Sequence, residues 1–412
     1  MDFEHSDKVK GLVNKLSAFM EENIYPVEAE VHEWHGDPAT AFQIWPGLDA
    51  LKAKARQAGL WNLFLPLTYG ELSGGLSTLE YAPMAELMGR VLWASEVFNC
   101  SAPDTGNMEV LAKFGSQDQK ERWLRPLLDG KIRSAYLMTE PAVASSDATQ
   151  LETSIVRDGD DYVINGTKWF ITGIFDPRCA VLLVMGKTDF DAPRHTQHST
   201  IIVPRDTPGV SIVRTQKVFG STRSPEGEAI VRLKDVRVSR ENLIWGEGKG
   251  FAIAQGRLGP GRIHHCMRSI GQAQRSLELM AQRAESRFAF GKKLSEQGSI
   301  IIDVANCYFE IEQARLLTLK AADKIDKFGA GAAKDLIAAI KVAIPRMAQS
   351  VTDRALQVFG GMGVTDDTPI AGFFLYNRIL RLADGPDEVH ATQLGRGKIK
   401  EYAALKPPLP TH

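Results

Sequence analysis

Apolar side chains recur every three or four residues from Asp2 to about Arg133, as at Val9, Leu12 and Leu16. This period places the apolar positions on one face of a helix. The segment therefore predicts an N-terminal helical bundle. A stretch rich in Gly with one Pro, at residues 65–78, predicts a long connection between its helices.

Short stretches with strand-like alternation follow between about Ser134 and Asn242. Short strands at even spacing are typical of an antiparallel sandwich or barrel. Asn165-Gly166 predicts a type I′ hairpin turn, because that turn needs positive φ at both central residues. The strands expected beside this turn are Val163–Asn165 and Thr167–Ile171, and the other expected strands are Ser154–Arg157, Asp161–Ile164, Ala180–Gly186, Ser199–Val203, Val210–Val213 and Glu228–Leu233.

Long helical patterns return from about Gly248 to the end of the chain. Their broad apolar faces indicate burial in a homo-oligomer. The PPLP sequence at residues 407–410 predicts a solvated tail. The expected helices are Gly261–Phe288, Gln297–Phe328, Ala332–Phe359 and about Pro386–Ala403.

Together the patterns predict an α+β multidomain fold. We expect an N-terminal helical domain at residues 1–133, a central antiparallel β-barrel or sandwich at 134–243, and a C-terminal helical bundle at 244–412.

The charge balance argues against nucleic acid and membrane partners. The 412 residues contain 49 Lys and Arg against 50 Asp and Glu, a net charge of -1. No excess positive field therefore attracts nucleic acid or an anionic membrane. The apolar runs are shorter than the roughly 20 residues of a spanning helix, and the N-terminus does not have the layout of a signal peptide. We expect a cytoplasmic protein without membrane insertion.

Several familiar kinds of site lack support in the sequence. The four cysteines Cys100, Cys179, Cys266 and Cys307 are too far apart to suggest a disulfide framework or a zinc site. FGGMGV at 359–364 follows a helix and lacks the Gly-x-Gly-x-x-Gly spacing of a dinucleotide site. P-loop and nucleophile-elbow motifs are absent from the sequence.

His264-His265 is a candidate metal pair. Adjacent residues on a helix point about 100° apart, and no carboxylate lies four positions away to complete the site. Packing, or lining a pocket, is the favoured interpretation, and we expect no metal.

The segment YLMTEPAVASSDATQLE, at residues 136–152, joins the helical and strand regions. Its small residues and hydroxyls concentrate backbone amides around Ser145 and Ser146, which suits a phosphate or a flavin edge. A plain polar linker explains the same composition.

The segment LRLADGPDEVH, at residues 380–390, places Asp384 beside a Gly-Pro break and after apolar Leu382 and Ala383. A carboxylate in an apolar cleft has its pKa raised toward that of a usable general base. The alternative is that Asp384 or Asp387 caps the last helix.

Five segments, taken in order, resemble the acyl-CoA dehydrogenase family over nearly the whole chain. TEPAVASSD at 139–147 is similar to the family's Thr-Glu-Pro-x-x-Gly-Ser-Asp signature, and NGTKWFITG at 165–173 to its Asn-Gly-x-Lys-x-Trp-Ile-Thr segment. RFAFGKKL from Arg287, QVFGGMGV from Gln357 and ADGPDEVH from Ala383 match the remaining landmarks. ASSDAT, GPGRIHH and ADGPDEVH resemble the branch that in animals is fused to kinase-like domains.

The resemblance implies FAD-dependent α,β-dehydrogenation of an acyl-CoA to the trans-2-enoyl-CoA, with electrons passed to an electron-transfer flavoprotein, as in fatty acid β-oxidation. It also implies a C-terminal four-helix bundle and a homotetramer built as a dimer of dimers. Asp384 aligns with the family's usual base, a Glu, whereas the other base position falls on Gly261. Asp384 is therefore the expected base.

Two alternatives to this activity remain open. An acyl-CoA oxidase would share the fold, cofactor and base but pass electrons to oxygen; such oxidases usually carry an extra C-terminal domain, so the length of the chain favours the dehydrogenase. A flavin-free binding protein on the same fold is the other alternative, because fold does not determine function.

The resemblance implies specific contacts for individual residues. Thr139 would lie on the pyrimidine edge of the flavin, and Thr172 would place a hydroxyl near N5. Ser146 would bridge FAD and the CoA chain, Arg262 would bind the adenine end of CoA, and Arg287 would reach FAD across a subunit interface. The residues expected to bind FAD are Tyr136, Met138, Thr139, Ser145, Ser146, Trp169, Phe170, Thr172, Arg287, Gln357, Gly361, Pro386, Asp387 and Glu388, and those expected to bind the substrate are Ser146, Arg262, His264 and His265.

A hydroxylated acyl chain is one hypothesis for the substrate. His264 and His265 closely follow Arg262, on the helix that would flank the acyl chain. A buried imidazole without a partner is costly, so a hydroxyl near C4 of the chain would supply a hydrogen bond. The kinase-fused branch, associated with long and 4-hydroxylated acyl-CoAs, implies the same. The alternative is that both histidines bond to neighbouring helices, as buried polar groups usually do.

Overall fold

The computed structural model describes residues 4–221 and 227–405, and these residues form two compact units. Unit 1 comprises the residues up to Tyr81 together with Trp93–Gly261. Unit 2 comprises Ala82–Leu92 and the residues from Arg262 onward. The predicted boundaries of three domains stay a prediction, and the predicted PPLP tail lies outside the described residues.

The N-terminal region is helical, as predicted. In the first helix Val9, Leu16 and Phe19 are buried, which confirms the apolar spacing, and the Ser6 hydroxyl caps its N-terminus by accepting from the Val9 amide. In the predicted connection at 65–78, residues Leu67–Leu72 form a short 3₁₀ helix, and the next α-helix begins at Thr78. The helices are α1 (Asp7–Phe19), α2 (Glu28–Gly36), α3 (Leu48–Gln57), α4 (Thr78–Gly89), α5 (Ala94–Val97), α6 (Asp104–Phe114), α7 (Gln117–Gln119) and α8 (Arg125–Leu128).

A seven-stranded sheet forms the centre of unit 1. Its strands follow the order β1-β4-β2-β3-β7-β6, and β5 pairs with β4. Apolar side chains from most of these strands form one core cluster, which includes Ile155, Ile164, Leu182 and Val231. The strands are β1 (Arg133–Leu137), β2 (Ser154–Asp158), β3 (Asp161–Thr172), β4 (Cys179–Lys187), β5 (His198–Pro204), β6 (Val210–Gln216) and β7 (Glu228–Ser239).

The sheet is mixed, which corrects the antiparallel prediction. β1 runs parallel to β4, and Ser154 of β2 pairs in the parallel sense with Lys187 of β4. Parallel neighbours need a long connection, and here the β2–β3 hairpin lies between β1 and β4 in the chain. β1 itself was not among the predicted strands.

The predicted turn at Asn165-Gly166 is wrong, because β3 continues through both residues. The Asn165 side-chain oxygen accepts a hydrogen bond from the Asp235 amide of β7 at 2.8 Å. A Cβ at Gly166 would lie 2.3 Å from the hydroxyl oxygen of Thr153. Glycine therefore leaves room for the Thr153 side chain here, and the hairpin turn lies at Gly159, where φ is +64°.

Unit 2 is built from long helices. The helix α11 packs against α10, α12 and α13, and the Asn377 amide of α12 donates to the Gln272 side chain of α9 at 2.7 Å. A short hairpin, β8–β9, follows α9, and α12 was not predicted from the sequence. The elements are α9 (Gly250–Ser286), β8 (Phe288–Ala289), β9 (Lys292–Lys293), α10 (Gly298–Ala332), α11 (Lys334–Phe359), α12 (Ile370–Leu380) and α13 (Asp387–Ala403).

The predicted order of helical, strand and helical regions is confirmed. None of the helices among the described residues is long and apolar enough to cross a membrane.

Candidate functional site

The segment that follows β1 is joined to β3 by backbone hydrogen bonds. The Trp169 amide donates to the Thr139 carbonyl oxygen at 3.0 Å, and the Thr139 hydroxyl donates to the Trp169 carbonyl oxygen. The structure thus brings together two residues that the sequence predicts to contact one cofactor. Both lie in unit 1.

A fully buried lysine, Lys168, anchors residues 138–140 of this segment. The Lys168 ammonium donates to Glu140 at 2.7 Å, to the Met138 carbonyl at 2.8 Å and to the Met185 carbonyl at 2.6 Å. These bonds use all three of its donors. Burial lowers the pKa of Lys168 to about 8, against the opposing attraction of Glu140.

The Glu140 carboxylate completes this anchor. Besides Lys168 it accepts hydrogen bonds from the amides of Glu152 at 2.7 Å and Thr153 at 3.0 Å. Burial alone would raise the pKa of Glu140, but Lys168 and these donors lower it. Sequence reasoning missed this pair as an anchor. The signal was a lysine at an inward-facing position of β3, which requires a carboxylate partner.

The hydroxyl-rich turn is organised by its own bonds. Ser145 accepts from the Glu140 amide at 2.9 Å, and Asp147 accepts from the Thr149 amide and from Arg194. Ser146 is exposed. The fold therefore presents Ser146 to solvent, and its expected contacts with FAD and CoA stay predictions.

Phe170 stands out on β3 by its conformation and exposure. Its φ is +51° at a bulge of β3, and 48% of the residue is exposed. Its amide donates to the Gln216 side chain at 2.7 Å, and its ring centroid lies 4.8 Å from that of Trp169. An exposed aromatic residue held in a sparsely populated backbone conformation indicates a functional surface.

Thr172 and Tyr136 have partners that the sequence did not indicate. The Thr172 hydroxyl donates to the Glu228 carboxylate at 3.0 Å, so its predicted contact with flavin N5 stays untested. Tyr136 lies on β1 under the Arg257 guanidinium, 4.2 Å from the ring centroid. Burial raises the pKa of Tyr136.

In unit 2, Asp384 occupies a tight turn between α12 and α13. Its φ is +55°, and Gly385 follows with φ +96°. The Asp384 carbonyl oxygen accepts from Arg262 at 3.1 Å and lies 3.1 Å from Nε2 of His390. Lys341 donates to the carbonyl of Gly385 at 3.5 Å and to that of Leu380. Side chains from three helices therefore hold the backbone that presents the carboxylate.

The Asp384 carboxylate has a basic side chain close to it, whereas the two apolar residues before it in the chain, Leu382 and Ala383, are exposed. The predicted apolar cleft stays a prediction. Nε2 of His265 lies 3.4 Å from Oδ2 of Asp384, and Asp384 also attracts the Arg262 guanidinium. The tight turn therefore brings Asp384 against His265 of α9.

The capping alternative is not supported. Pro386 occupies the N-cap position of α13 without a side-chain bond. Asp387 lies in the first turn, is buried, and accepts from Arg346 at 2.8 Å and Arg381 at 2.9 Å. Its carboxylate serves an internal ion cluster. The predicted FAD contacts of Pro386 and the exposed Glu388 stay predictions.

The two adjacent histidines have different environments. His264 is buried, and burial, with Arg268 nearby, lowers its pKa well below the usual value. His265 contacts Asp384, Arg268 and Tyr376. For His265 this favours the interpretation that it bonds to neighbouring groups. No metal-binding group of His, Cys, Asp and Glu occurs among residues 4–221 and 227–405.

The remaining predicted cofactor residues lie on the surface of unit 2. Arg287 follows α9, Gln357 lies in the last turn of α11 and Gly361 in the 3₁₀ turn that follows, and all three are exposed.

Arg262, the residue predicted to bind CoA, is half-buried, and burial lowers its pKa. Its expected contact with CoA is untested.

The chain matches three domain models of one family. These are the N-terminal, middle and C-terminal domains of acyl-CoA dehydrogenase, at residues 6–131, 135–236 and 248–399. Mouse acyl-CoA dehydrogenase family member 10 is 52% identical over 98% of this chain, which spans 38% of that protein. FadE2 of Mycobacterium tuberculosis, named as an acyl-CoA dehydrogenase, is 50% identical, with 97% of each chain covered.

Solved structures show the same fold. A protein from Mycobacterium abscessus, assigned as an acyl-CoA dehydrogenase, matches with a TM-score of 0.94 and 48% identity, over 97% of this chain and 100% of the other. Butyryl-CoA dehydrogenase from Megasphaera elsdenii matches with a TM-score of 0.80 and 27% identity, over 97% and 100% of the two chains. The predicted fold class is confirmed.

Proposed function

Since the chain belongs to the acyl-CoA dehydrogenase family, we propose that it removes hydrogen from the α and β carbons of an acyl-CoA thioester, using FAD. The product is the trans-2-enoyl-CoA. The observation that carries this proposal is the turn at Asp384, whose carbonyl oxygen contacts Arg262 and His390 while the carboxylate faces His265. A carboxylate held so firmly is suited to act as a base.

The residues of unit 1 fit a flavin. Phe170 and Trp169 offer an aromatic surface, and Phe170 is held exposed at positive φ. Ala142, Ala144 and Ser146 of the following segment are small and exposed, which suits the polar edge of a flavin or a phosphate. The anchored Thr139 belongs to the same segment. A bound flavin would supply the acceptor for the hydride that leaves the β-carbon.

Asp384 would take the α-proton of the thioester. Proton transfer requires near-contact geometry between the carboxylate and the α-carbon. Arg262 and Lys341 stabilise the ionised carboxylate by Coulomb attraction. The contacts that Arg262, Lys341 and His390 make with the backbone of the turn would keep the carboxylate in place while the proton is transferred.

The finer assignments are proposals of the same kind. We expect electrons to pass to an electron-transfer flavoprotein, and Arg287, Gln357 and Gly361 to hold FAD of a neighbouring subunit in a dimer of dimers. Their exposure supports this proposal, because groups that complete a neighbouring subunit's site must lie on the surface.

The test is anaerobic bleaching of the flavin by butanoyl-, octanoyl- and hexadecanoyl-CoA. Wild-type enzyme should be yellow and bleach with at least one of these thioesters. Asp384→Asn should keep FAD and bind the thioester but reduce the flavin about 10²- to 10⁴-fold more slowly. Asp367→Asn, an exposed carboxylate of unit 2, is the control and should behave as wild type.

Three results would overturn parts of the proposal. Near-normal reduction in Asp384→Asn removes the base assignment. Rapid oxygen consumption, without reduction of an added electron-transfer flavoprotein, indicates an oxidase. A colourless protein that binds acyl-CoA without chemistry indicates a binding protein.

A further inference from the structure

Arg268, His265 and Asp384 form a chain of contacts within unit 2. Nε2 of His265 lies 3.4 Å from Oδ2 of Asp384, and a guanidinium nitrogen of Arg268 lies 3.1 Å from Nδ1 of the same ring. The Tyr376 hydroxyl of α12 lies 3.3 Å from Nδ1. The imidazole is thus contacted at both nitrogens and from two helices.

The arginine determines the tautomer of the histidine. A guanidinium has only donors, so Arg268 must donate to Nδ1 of His265. Nδ1 then carries no proton, and the neutral ring holds its proton on Nε2, the nitrogen that faces Asp384. His265 therefore directs an N–H group at one oxygen of the carboxylate.

Helix packing holds the arginine in place. Arg268 is buried on α9. A Cβ at Gly89 of α4 would lie 2.3 Å from the Arg268 Cα, so the two helices approach at backbone contact. A buried cation fixed in this way also opposes protonation of the adjacent imidazole, because two positive charges would lie side by side.

We propose that His265 is a positioning residue for the base: through its N–H it fixes the orientation of the Asp384 carboxylate, and Arg268 keeps it neutral. This inference rests on the proposed function of Asp384. A neutral donor orients the carboxylate with less loss of basicity than an imidazolium, whose full charge would weaken the base.

Other titratable groups face the pair from α9, α11 and α13. Burial lowers the pKa of His390 to about 4 and that of His264 well below its usual value, and it raises that of the Cys266 thiol to about 12. These groups keep one protonation state between about pH 6 and 8. The neighbouring cations are Arg262 and Lys341, the latter with a pKa lowered by burial.

The test compares two amide variants of His265, with the rate of flavin reduction measured by anaerobic stopped flow. The thioester is whichever of the three probes bleaches wild type fastest. In His265→Gln the side-chain amide reaches the position of Nε2 and can donate to Asp384, whereas the amide of His265→Asn is too short. We expect Asn to lower the rate about 10- to 100-fold, Gln to recover most of it, and KM to change little in both.

A pH series provides a readout that a purely structural role would not affect. In Arg268→Gln the cation that opposes protonation of the imidazole is removed, so the reduction rate should show an inflection and fall at low pH, where His265 gains a proton. In the double variant His265→Gln with Arg268→Gln this inflection should be missing. An inflection that persists there belongs to another group and would overturn the role of Arg268.

The outcomes separate this inference from the proposed function. If Asp384→Asn abolishes reduction while His265→Asn reduces the flavin like wild type, or as slowly as His265→Gln, the positioning role is wrong and the base assignment stands. If Asp384→Asn retains the wild-type rate, the base assignment itself is wrong. The ratio of FAD to protein, measured for every variant, confirms that equally loaded enzymes are compared.

Discussion

The buried pair of Lys168 and Glu140 allows a perturbation whose size follows from the structure. Glu140→Gln keeps the shape of the side chain but removes its charge and replaces one acceptor oxygen with a donor. That amide would face the Lys168 ammonium or the backbone amides of Glu152 and Thr153, which are all donors. The lysine would be left as a buried cation without its counter-charge.

Two estimates limit the loss of stability. Removing one partner of a buried ion pair costs about 3–5 kcal/mol. Lys168 has the alternative of losing its proton. Starting from its pKa of about 8 in folded wild type, this costs at pH 7 about 1 pH unit at about 1.36 kcal/mol, or about 1.4 kcal/mol. We therefore expect the free energy of unfolding to fall by about 1.4–5 kcal/mol.

Equilibrium urea unfolding, followed by circular dichroism, measures this loss. The control is Glu152→Gln, which removes an exposed charge from the same segment and should change stability by less than about 0.5 kcal/mol. Adding Lys168→Met to Glu140→Gln removes the stranded cation, so the double variant should be more stable than the sum of the single effects by about 1–3 kcal/mol.

The pH dependence of the loss has a definite sign. Without Glu140 the folded-state pKa of Lys168 drops below its value of about 8. The folded variant then binds fewer protons than folded wild type in this range, so its stability rises more steeply with pH. The difference in the free energy of unfolding between wild type and Glu140→Gln should be largest near pH 6 and shrink toward pH 9. A difference that does not depend on pH, or a variant as stable as wild type, would refute the reasoning.

Two further predictions concern the cofactor and a second buried acid. Arg287→Ala should lose FAD and weaken the oligomer together, measured by flavin-to-protein ratio and light scattering; a stable monomer with full FAD contradicts it, and the exposed Gln282→Ala is the control. Burial raises the pKa of Glu109 to about 8, from an ordinary value of 4.5. Between these two pH values the folded protein keeps a proton that the unfolded chain releases. The free energy of unfolding therefore falls as the pH rises from about 4.5 to about 8. Glu109→Gln should remove this penalty and stabilise the protein by up to about 3 kcal/mol at pH 7, with no gain near pH 4.5; equal gains at both pH values in urea unfolding would contradict it.

The β region shows how unevenly local sequence signals predict turns. The expected strands Ser154–Arg157 and Asp161–Ile164 pair as a hairpin, whereas Asn165-Gly166, the predicted turn, lies inside β3. The difference lies in the partners. Asn165 bonds to Asp235 and Gly166 faces Thr153, and neither contact can be read from the adjacent residues.

The sequence likewise predicted only part of the candidate site. The sequence was sufficient to choose Asp384 as the candidate base and the segment around Thr139 as the candidate flavin contact, because both carry recognisable motifs. It did not indicate Lys168 as the anchor of that segment or His265 as the neighbour of Asp384. Nor did it indicate that Leu382 is exposed and that Arg262 contacts the backbone of Asp384.

The sequence by itself determined the order of helical and strand regions, the family, and the residue types available for catalysis. These follow from periodicity and short motifs, which are properties of neighbouring residues. Only the tertiary structure decided which charges are paired, as where Arg133 of β1 meets Glu96, Asp104 and Asp176 in one buried cluster. A charged side chain is buried only with its partners, and those partners come from segments far apart in the chain, so folding alone brings them together.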